Sequence, residues 1–232
     1  MIGTSLSTLC TSLNGGATID ATLLTQLVNI GKNILEEERP WMVLRKTDTS
    51  KTVTTASLYT TAISLATIAQ FNKFYGNFAV RLFDGVNRIE YYRQVPWDER
   101  LVYKDVGNTF CYDVNSGNIY LNGVVPFNGT LYINYLTTLI DIDLTSSSEV
   151  WSPFPPRFGA ILAFYAVGVN KGAIDYDIVN SFMTPSNQQV LTALRLTMLN
   201  WDNELQQSAI ELNDPTDQFA YPRAGAIDIS GF

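Results

Sequence analysis

The spacing of apolar residues changes twice along this chain, and that change constrains the fold more than any other feature. Leu23, Leu27 and Ile34 recur at helical spacing near the start, and helical spacing returns from Phe158 onward. Between these segments lie short β-like runs that are separated by turn residues. We therefore predict an α+β fold, in which a helical bundle from both ends of the chain carries an inserted antiparallel β-sheet or small barrel.

The first forty residues are predicted to be helical. A short amphipathic segment, Leu6–Leu13, closes at Asn14–Gly16, where two glycines follow an asparagine. Asp20 is a good N-cap for the longer helix that follows, and Pro40 limits how far that helix can extend. We assign residues 1–40 to the N-terminal helices of the bundle.

Residues 41–150 are predicted to form an aromatic-rich β region. Turn signals such as Asp84–Gly85 and Asn122–Gly123 divide it into short segments rich in Val, Thr, Tyr and Phe. The clearest strand candidates are Phe78–Phe83, Arg88–Tyr92, Thr109–Val114 and Thr130–Leu136. In the last of these, alternation places Leu131, Ile133 and Tyr135 on one face.

Residues 151–212 are predicted to be the C-terminal helices of the bundle. Prolines at Pro153–Pro156 suit the first turn of a helix that continues to Val169. Asp175 can cap a short helix, and Thr184–Pro185 opens the longest one. We expect one helical core in which Leu194, Met198, Trp201 and Leu205 pack against Phe158, Leu162 and Tyr165.

Residues 213–232 form a tail without helical periodicity, and two interpretations are open. One is a disordered terminus, which is common at chain ends. The other is an extended docking arm whose aromatic side chains fill pockets on a partner, with Arg223 paired to an acidic site there. The candidate interface residues in that case are Phe219, Tyr221, Arg223 and Phe232.

The residues available for catalysis are few. The chain has no histidine, which excludes Ser-His-Asp and Cys-His mechanisms and imidazole-bound zinc. Cys10 and Cys111 are too few for an all-thiolate zinc site, and no phosphate-binding glycine loop is present. We therefore expect no enzyme activity, no metal and no cofactor.

Carboxylate pairs are the remaining candidates for catalysis. Glu36, Glu37 and Glu38 are adjacent, and Asp141 and Asp143 are two residues apart, so either group could serve a glycosidase-type site. The alternative is that the glutamates mark a solvated helix end and that the aspartates flank the end of a strand. We favour the alternative for both groups.

Charge and hydropathy limit the possible partners. The net charge of −7 and the lack of any Lys/Arg cluster argue against binding nucleic acid through its phosphates. Charged residues make up only 16% of the chain, against about 25% in typical soluble proteins, which favours a subunit covered by partners. Phe158–Val169 is the longest apolar run and is shorter than the ~20 residues of a bilayer span. We expect neither membrane insertion nor a secretion signal.

The order of these segments resembles the head-to-tail adaptors of tailed bacteriophages, and especially the tail tubular protein A type of short-tailed phages. The stretches that carry the resemblance are Glu38–Trp41, Tyr91–Arg100, Tyr112–Leu121, Val150–Phe158 and Trp201–Asp202. They are patterns of aromatic and apolar residues within residues 20 to 211. One departure is the segment 59–62, which lacks the proline that the family often has there.

The resemblance implies a structural virion protein at the neck between capsid and tail. It implies a homo-oligomeric ring of about twelve copies that binds the portal protein and the next tail component. DNA would pass through the ring without specific binding, and assembly would take place in the bacterial host cytoplasm. The partner of the docking arm would be the portal or a neighbouring adaptor subunit.

Two alternatives from other classes stay open. An aromatic-rich sheet could be a carbohydrate-binding or host-recognition module, because sugars stack on exposed aromatic rings. A tail-associated hydrolase could use one of the carboxylate pairs. Glycan binding by the isolated chain would distinguish the first alternative, and polysaccharide cleavage the second.

Overall fold

Helices form both ends of the part of the chain that the computed structural model describes, which comprises residues 3–76, 78–145, 151 and 153–211. Among these residues there are six α-helices and two 3-10 turns, Met42–Leu44 and Pro156–Phe158. The helices are α1 (Gly3–Leu13), α2 (Ala21–Glu37), α3 (Arg100–Tyr103), α4 (Gly159–Asn170), α5 (Tyr176–Ser181) and α6 (Pro185–Glu211). No helix in the described part of the chain is long and apolar enough to cross a membrane.

The predicted helix ends are confirmed. The carboxylate of Asp20 accepts hydrogen bonds from the backbone N–H groups of Thr22 and Leu23, so it caps α2. Asp175 caps α5 in the same way through the N–H of Ile178. The long last helix begins at Pro185, as the sequence indicates.

The chain divides into two compact units. The helical unit consists of Met1–Leu44 and Thr138–Leu212, and the β unit contains Arg45–Thr137. Each unit has its own buried apolar residues.

The helical unit is organised around α4. This helix is apolar on all sides, and every residue from Ile161 to Gly168 is buried. Helix α2 approaches α4 closely at Gly31, where an added Cβ would lie 2.9 Å from the Cβ of Tyr165. Trp201 of α6 lies at the edge of this core, with its ring centroid 5.4 Å from that of Phe158.

The expected packing of α6 is confirmed in part. Met198 is fully buried, whereas Leu194, Trp201 and Leu205 are only half-buried. The stripe therefore lies along the boundary of the core, and the side of α6 that bears Leu196 is exposed.

The β unit contains one sheet of eight strands. They are β1 (Arg45–Val53), β2 (Ile63–Ser64), β3 (Phe71–Phe74), β4 (Val80–Phe83), β5 (Ile89–Val95), β6 (Thr109–Asp113), β7 (Asn118–Leu121) and β8 (Gly129–Thr137). Their order is β1–β8–β4–β5–β6–β7–β2, and β3 pairs with the C-terminal end of β8. Strand β5 connects the strands β1, β8, β3 and β4 to the strands β6, β7 and β2. Its first part pairs with β4, and its last part runs parallel to β6.

The sheet is nearly closed and barrel-like. Its two terminal strands, β1 and β2, are consecutive in sequence, so a short connection holds the two edges near each other. Inside lies an apolar core that includes Leu82, Phe110 and Ile119 as well as the three residues predicted to share a face of β8, Leu131, Ile133 and Tyr135.

The prediction of a helical bundle with a small inserted sheet was therefore wrong. The protein is a mixed α/β fold in which a large, nearly closed sheet of eight strands accompanies six helices in the described residues. The sequence revealed β4, β5, β6 and β8 but concealed the others. β1 has only one buried residue, Val53, because it lies at the sheet edge, and β2 is only two residues long. Neither can show the apolar alternation by which strands are recognised.

Candidate functional site: a buried polar network in the helical unit

The candidate glutamates lie at the end of α2, and the structure separates their environments. Glu36 is buried, Glu37 is exposed and Glu38 is half-buried. The expectation of a solvated helix end is wrong for Glu36, because this position faces the interior of the helical unit. It also lies one helical turn after Lys32, whose side chain is fully buried.

Lys32 brings together one residue from each candidate carboxylate group. Its ammonium lies 3.9 Å from Glu36 Oε2 and 3.5 Å from Asp141 Oδ1. It also donates a 2.7 Å hydrogen bond to the carbonyl oxygen of Leu139. Glu36 is buried and Asp141 is largely exposed, so the ammonium is held between an interior and a surface carboxylate.

Both oxygens of Glu36 are used. Oε1 accepts a 3.0 Å hydrogen bond from the indole N–H of Trp151, and Oε2 accepts a 3.3 Å bond from the backbone N–H of Leu139. Burial raises the pKa of Glu36, and the nearby Lys32 opposes that shift. A carboxyl group with a raised pKa can act as a general acid, but this one is already engaged by internal donors.

Side chains of α2 hold the segment after β8 through hydrogen bonds to its backbone. The amide of Asn29 donates to the carbonyl of Ile142 at 3.1 Å and accepts from its N–H at 2.7 Å. Lys32 and Glu36 bind the carbonyl and the N–H of Leu139. These three side chains therefore satisfy peptide groups of a segment that has no regular secondary structure to do so.

Glu38 belongs to a second cluster. One of its oxygens accepts a hydrogen bond from the hydroxyl of Tyr165, and the other lies 3.1 Å from the guanidinium of Arg195. That guanidinium also stacks on the ring of Tyr176 at 3.8 Å. Burial, followed by the contact with Glu38, raises the pKa of Tyr165, so its hydroxyl stays protonated.

Asp202 forms a third cluster. It is fully buried and lies 2.9 Å from the guanidinium of Arg39. Oδ1 accepts a 2.6 Å hydrogen bond from the backbone N–H of Met42, and the oxygen that faces Arg39, Oδ2, also accepts a 2.9 Å bond from the amide of Gln206. The side chain of Asp202 therefore fixes the turn that follows α2.

The predicted aspartate pair does not form a site. Asp143 accepts hydrogen bonds from the N–H and hydroxyl of Thr145, and these bonds lower its pKa. Asp141 instead lies beside Lys32. Within the described residues no group of three or more Cys, Asp or Glu side chains could hold a metal ion.

The aromatic residues of the β unit contact one another. Phe71 lies within 5.8 Å of the rings of Phe74, Tyr112 and Tyr135, and Phe74 also contacts Phe110. Most of these contacts are edge-to-face, and the rings belong to or pack on the sheet core. They therefore do not form the flat exposed platform on which a sugar would stack.

A second aromatic pair in the β unit is covered by an arginine. The rings of Trp97 and Tyr120 are 5.4 Å apart, and the guanidinium of Arg100 lies 4.7 Å and 4.5 Å from them. The cation therefore occupies the position over both rings that a ligand would need.

The tail residues Phe219, Tyr221, Arg223 and Phe232 lie outside the described residues, and so does the whole predicted arm, 213–232. Sequence reasoning missed Lys32, Arg195 and Asp202 as members of the polar clusters. A signal was present for two of them, because Lys32 and Asp202 each follow a buried residue, Val28 and Met198, by one helical turn.

No protein-family model matches the chain, and no curated protein matches it.

Proposed function

We propose that the chain is a structural virion protein, the adaptor ring subunit that joins the portal of a tailed phage to its tail and extends the DNA channel. The proposal includes a homo-oligomeric ring at the virion neck and no catalytic activity. Its partners would be the portal protein and the next tail component, with DNA passing through unbound.

The observation that carries the proposal is the meeting of three sequence stretches on which the resemblance rests. Trp41 is fully buried and its ring is 5.9 Å from Phe154, which stacks on Trp151 at 4.1 Å. Trp201 lies 6.0 Å from Phe154. One aromatic cluster thus contains residues from three of the stretches that carry the resemblance: Glu38–Trp41, Val150–Phe158 and Trp201–Asp202. Their contact in the folded chain supports an architecture shared with the adaptor family.

The polar clusters support a structural role. Glu36, Glu38 and Asp202 are each held by at least two internal donors or cations. A catalytic carboxylate must be free to meet its substrate, whereas these three join parts of the helical unit to one another.

The exposed apolar residues support a subunit role. Large apolar side chains are exposed in both units, and several of them are more than 70% accessible. Exposed apolar side chains form contact surfaces where they lie together in a patch, and Leu101 and Val102 are adjacent in the chain. The most exposed are Val86, Leu101, Val102, Val114, Val124, Ile140 and Ile174.

The experiment is to mix the purified chain with isolated portal rings and to examine the complex by cryo-EM and mass photometry. We expect a ring of additional density on the tail side of the portal. A variant with Phe219, Tyr221 and Phe232 changed to Ala should lose attachment, and Gln218→Ala, a polar neighbour in the same segment, should keep it.

Two results would contradict the proposal. One is a chain that stays monomeric and leaves portal rings unaltered while it binds glycans on an array, which would favour the host-recognition alternative. The other is cleavage of peptidoglycan or polysaccharide that is abolished by Glu36→Gln or Asp141→Asn.

A further inference from the structure

Three Asn–Gly pairs occur in this chain, and their surroundings in the fold differ. They are Asn14–Gly15, Asn122–Gly123 and Asn128–Gly129. Such a pair is reactive in itself, because glycine has no Cβ to keep its backbone nitrogen away from the side-chain carbon of the preceding asparagine. Each pair also follows a large apolar residue, so the local sequences are closely matched. Differences in rate between the three must therefore come from the folded environment.

The reaction is a loss of ammonia followed by the addition of water. The deprotonated backbone nitrogen of the glycine attacks Cγ of the asparagine, so that an N–Cγ bond forms while the Cγ–Nδ2 bond breaks and ammonia leaves. Water then opens the resulting succinimide ring at either carbonyl, which gives aspartate or isoaspartate. The net change is hydrolysis of one side-chain amide to a carboxylate, and it adds a negative charge to the protein.

Asn14 lies at the exposed end of α1. Gly15 and Gly16, which follow it, have φ angles of 72° and 82° and are exposed. A Cβ built on either glycine would have no atom within 4 Å, so nothing packs against that side of the turn. The amide of Asn14 is held only by a 3.1 Å hydrogen bond to the carbonyl of Ala17, which is itself exposed.

The turn at Asn14 can open without disturbing the rest of the fold. Ring closure requires the peptide between Asn14 and Gly15 to rotate out of its helical orientation. That rotation breaks the bonds from Gly15 to the carbonyl of Ser12 and from Gly16 to the carbonyl of Thr11, both in the last turn of the helix. Terminal turns open with a free energy close to zero, whereas core strands open only with a large part of the fold.

The pair at Asn122 is enclosed. Asn122 is only 1% exposed, and its amide donates a 3.0 Å hydrogen bond to the hydroxyl of Thr109. The nitrogen of Gly123 donates a 2.8 Å bond to the carbonyl of Lys104. A Cβ at Gly123 would lie 2.7 Å from the Cα of Gly107, so this peptide has no room to rotate.

The pair at Asn128 is exposed but fixed in place. Oδ1 of Asn128 accepts a 2.8 Å hydrogen bond from the backbone N–H of Thr55. Gly129 is the first residue of β8 and pairs with Val53, and a Cβ there would collide with the carbonyl oxygen of Phe83. Rotation of the peptide would therefore disturb the sheet where β8 meets β1 and β4.

We propose that Asn14 is the site of spontaneous deamidation in this protein and that the fold protects Asn122 and Asn128. This inference goes beyond the proposed function and does not depend on it. The product carboxylate stands at the C-terminal end of α1, where the helix dipole disfavours negative charge. It also cannot donate to the carbonyl of Ala17 as the amide does. The modified chain therefore has one negative charge more than the −7 of the sequence and a looser end to α1.

The first test is peptide mapping by mass spectrometry after storage of the full chain in mildly alkaline buffer, which favours the deprotonated nitrogen. Deamidation adds about 1 Da, and fragmentation spectra assign it to one asparagine. In the folded chain we expect Asn14 to react at least about tenfold faster than Asn122 and Asn128. The same chain unfolded in urea is the control, and there all three should react at comparable rates. Reaction of Asn122 or Asn128 as fast as Asn14 in the folded chain would overturn the proposal.

The second test follows the added charge by anion-exchange chromatography. The wild type should accumulate an acidic species that elutes near the variant Asn14→Asp. Asn14→Gln should not accumulate it, because the longer side chain closes a larger ring and reacts far more slowly. Asn128→Gln is the matched control and should accumulate the species as the wild type does. Accumulation at the wild-type rate in Asn14→Gln, or its loss in Asn128→Gln, would refute the assignment.

Discussion

The fully buried side chain of Lys32 allows the most direct test of the polar network. Replacing it with Met keeps a similar apolar stem and removes the ammonium that lies between Glu36, Asp141 and the carbonyl of Leu139. Removing one partner of a buried ion pair leaves the other charge uncompensated, which costs about 3–5 kcal/mol. We expect the lower end, about 3 kcal/mol, because Glu36 keeps its hydrogen bonds from Trp151 and Leu139.

The assay is thermal and urea unfolding followed by circular dichroism. A loss of about 3 kcal/mol corresponds to a fall of roughly 6–12 °C in Tm for a chain of this length. Lys171→Met is the matched control, because Lys171 is exposed in the same unit and should change stability by less than about 0.5 kcal/mol. The double variant Lys32→Met/Glu36→Gln should recover part of the loss, because the carboxylate that was left uncompensated is then neutral.

The effect of Lys32→Met should depend on pH with a definite sign. The folded pKa of Glu36 is already raised by burial, and loss of the neighbouring cation raises it further. The folded state then binds a proton more tightly than the unfolded state, so stability falls as pH rises through the folded pKa. The variant should therefore be less destabilised at acidic pH than at alkaline pH. Equal stability of Lys32→Met and Lys171→Met, or the opposite pH trend, would refute this reasoning.

Two further substitutions test the packing of the helical unit. Gly31→Val places methyl groups where a Cβ alone would already lie 2.9 Å from Tyr165, and should cost about 1–3 kcal/mol or more in a denaturation experiment; an unchanged midpoint would contradict the close approach of α2 and α4. Trp201→Ala should cost about 2–3 kcal/mol, below the 3–5 kcal/mol range of fully buried aromatic deletions, because Trp201 is only half-buried against Phe154 and Phe158. A melting curve identical to that of the wild type would remove Trp201 from the core.

The individual elements could be predicted where their signals are local. Asp20 and Asp175 mark helix starts because each side chain accepts hydrogen bonds from N–H groups only two or three residues further along the chain. Capping of this kind can therefore be recognised from a short stretch of sequence. The face shared by Leu131, Ile133 and Tyr135 could be predicted because one side of β8 is buried. Every second residue of the strand therefore lies in the core, and this spacing is visible in the sequence.

The size of the sheet could not be predicted. Strand β1 has polar residues on both faces, so its sequence resembles a loop, and only its pairing with β8 makes it a strand. Arg45 and Leu136 are paired although they are far apart in sequence. Backbone pairing between such distant segments produces no repeating pattern of residue types in either segment.

Local sequence signals were enough to place helices at both ends of the described residues and strands between them, and to exclude the chemistry of histidine. Three features became visible only in the folded chain: Glu36 is buried, Lys32 lies between Glu36 and Asp141, and Asp202 fixes the backbone at Met42. The physical reason is that helical periodicity and capping act over a few residues. The environment of an ionisable group depends instead on which distant segments fold over it, as Leu139 and Trp151 fold over Glu36.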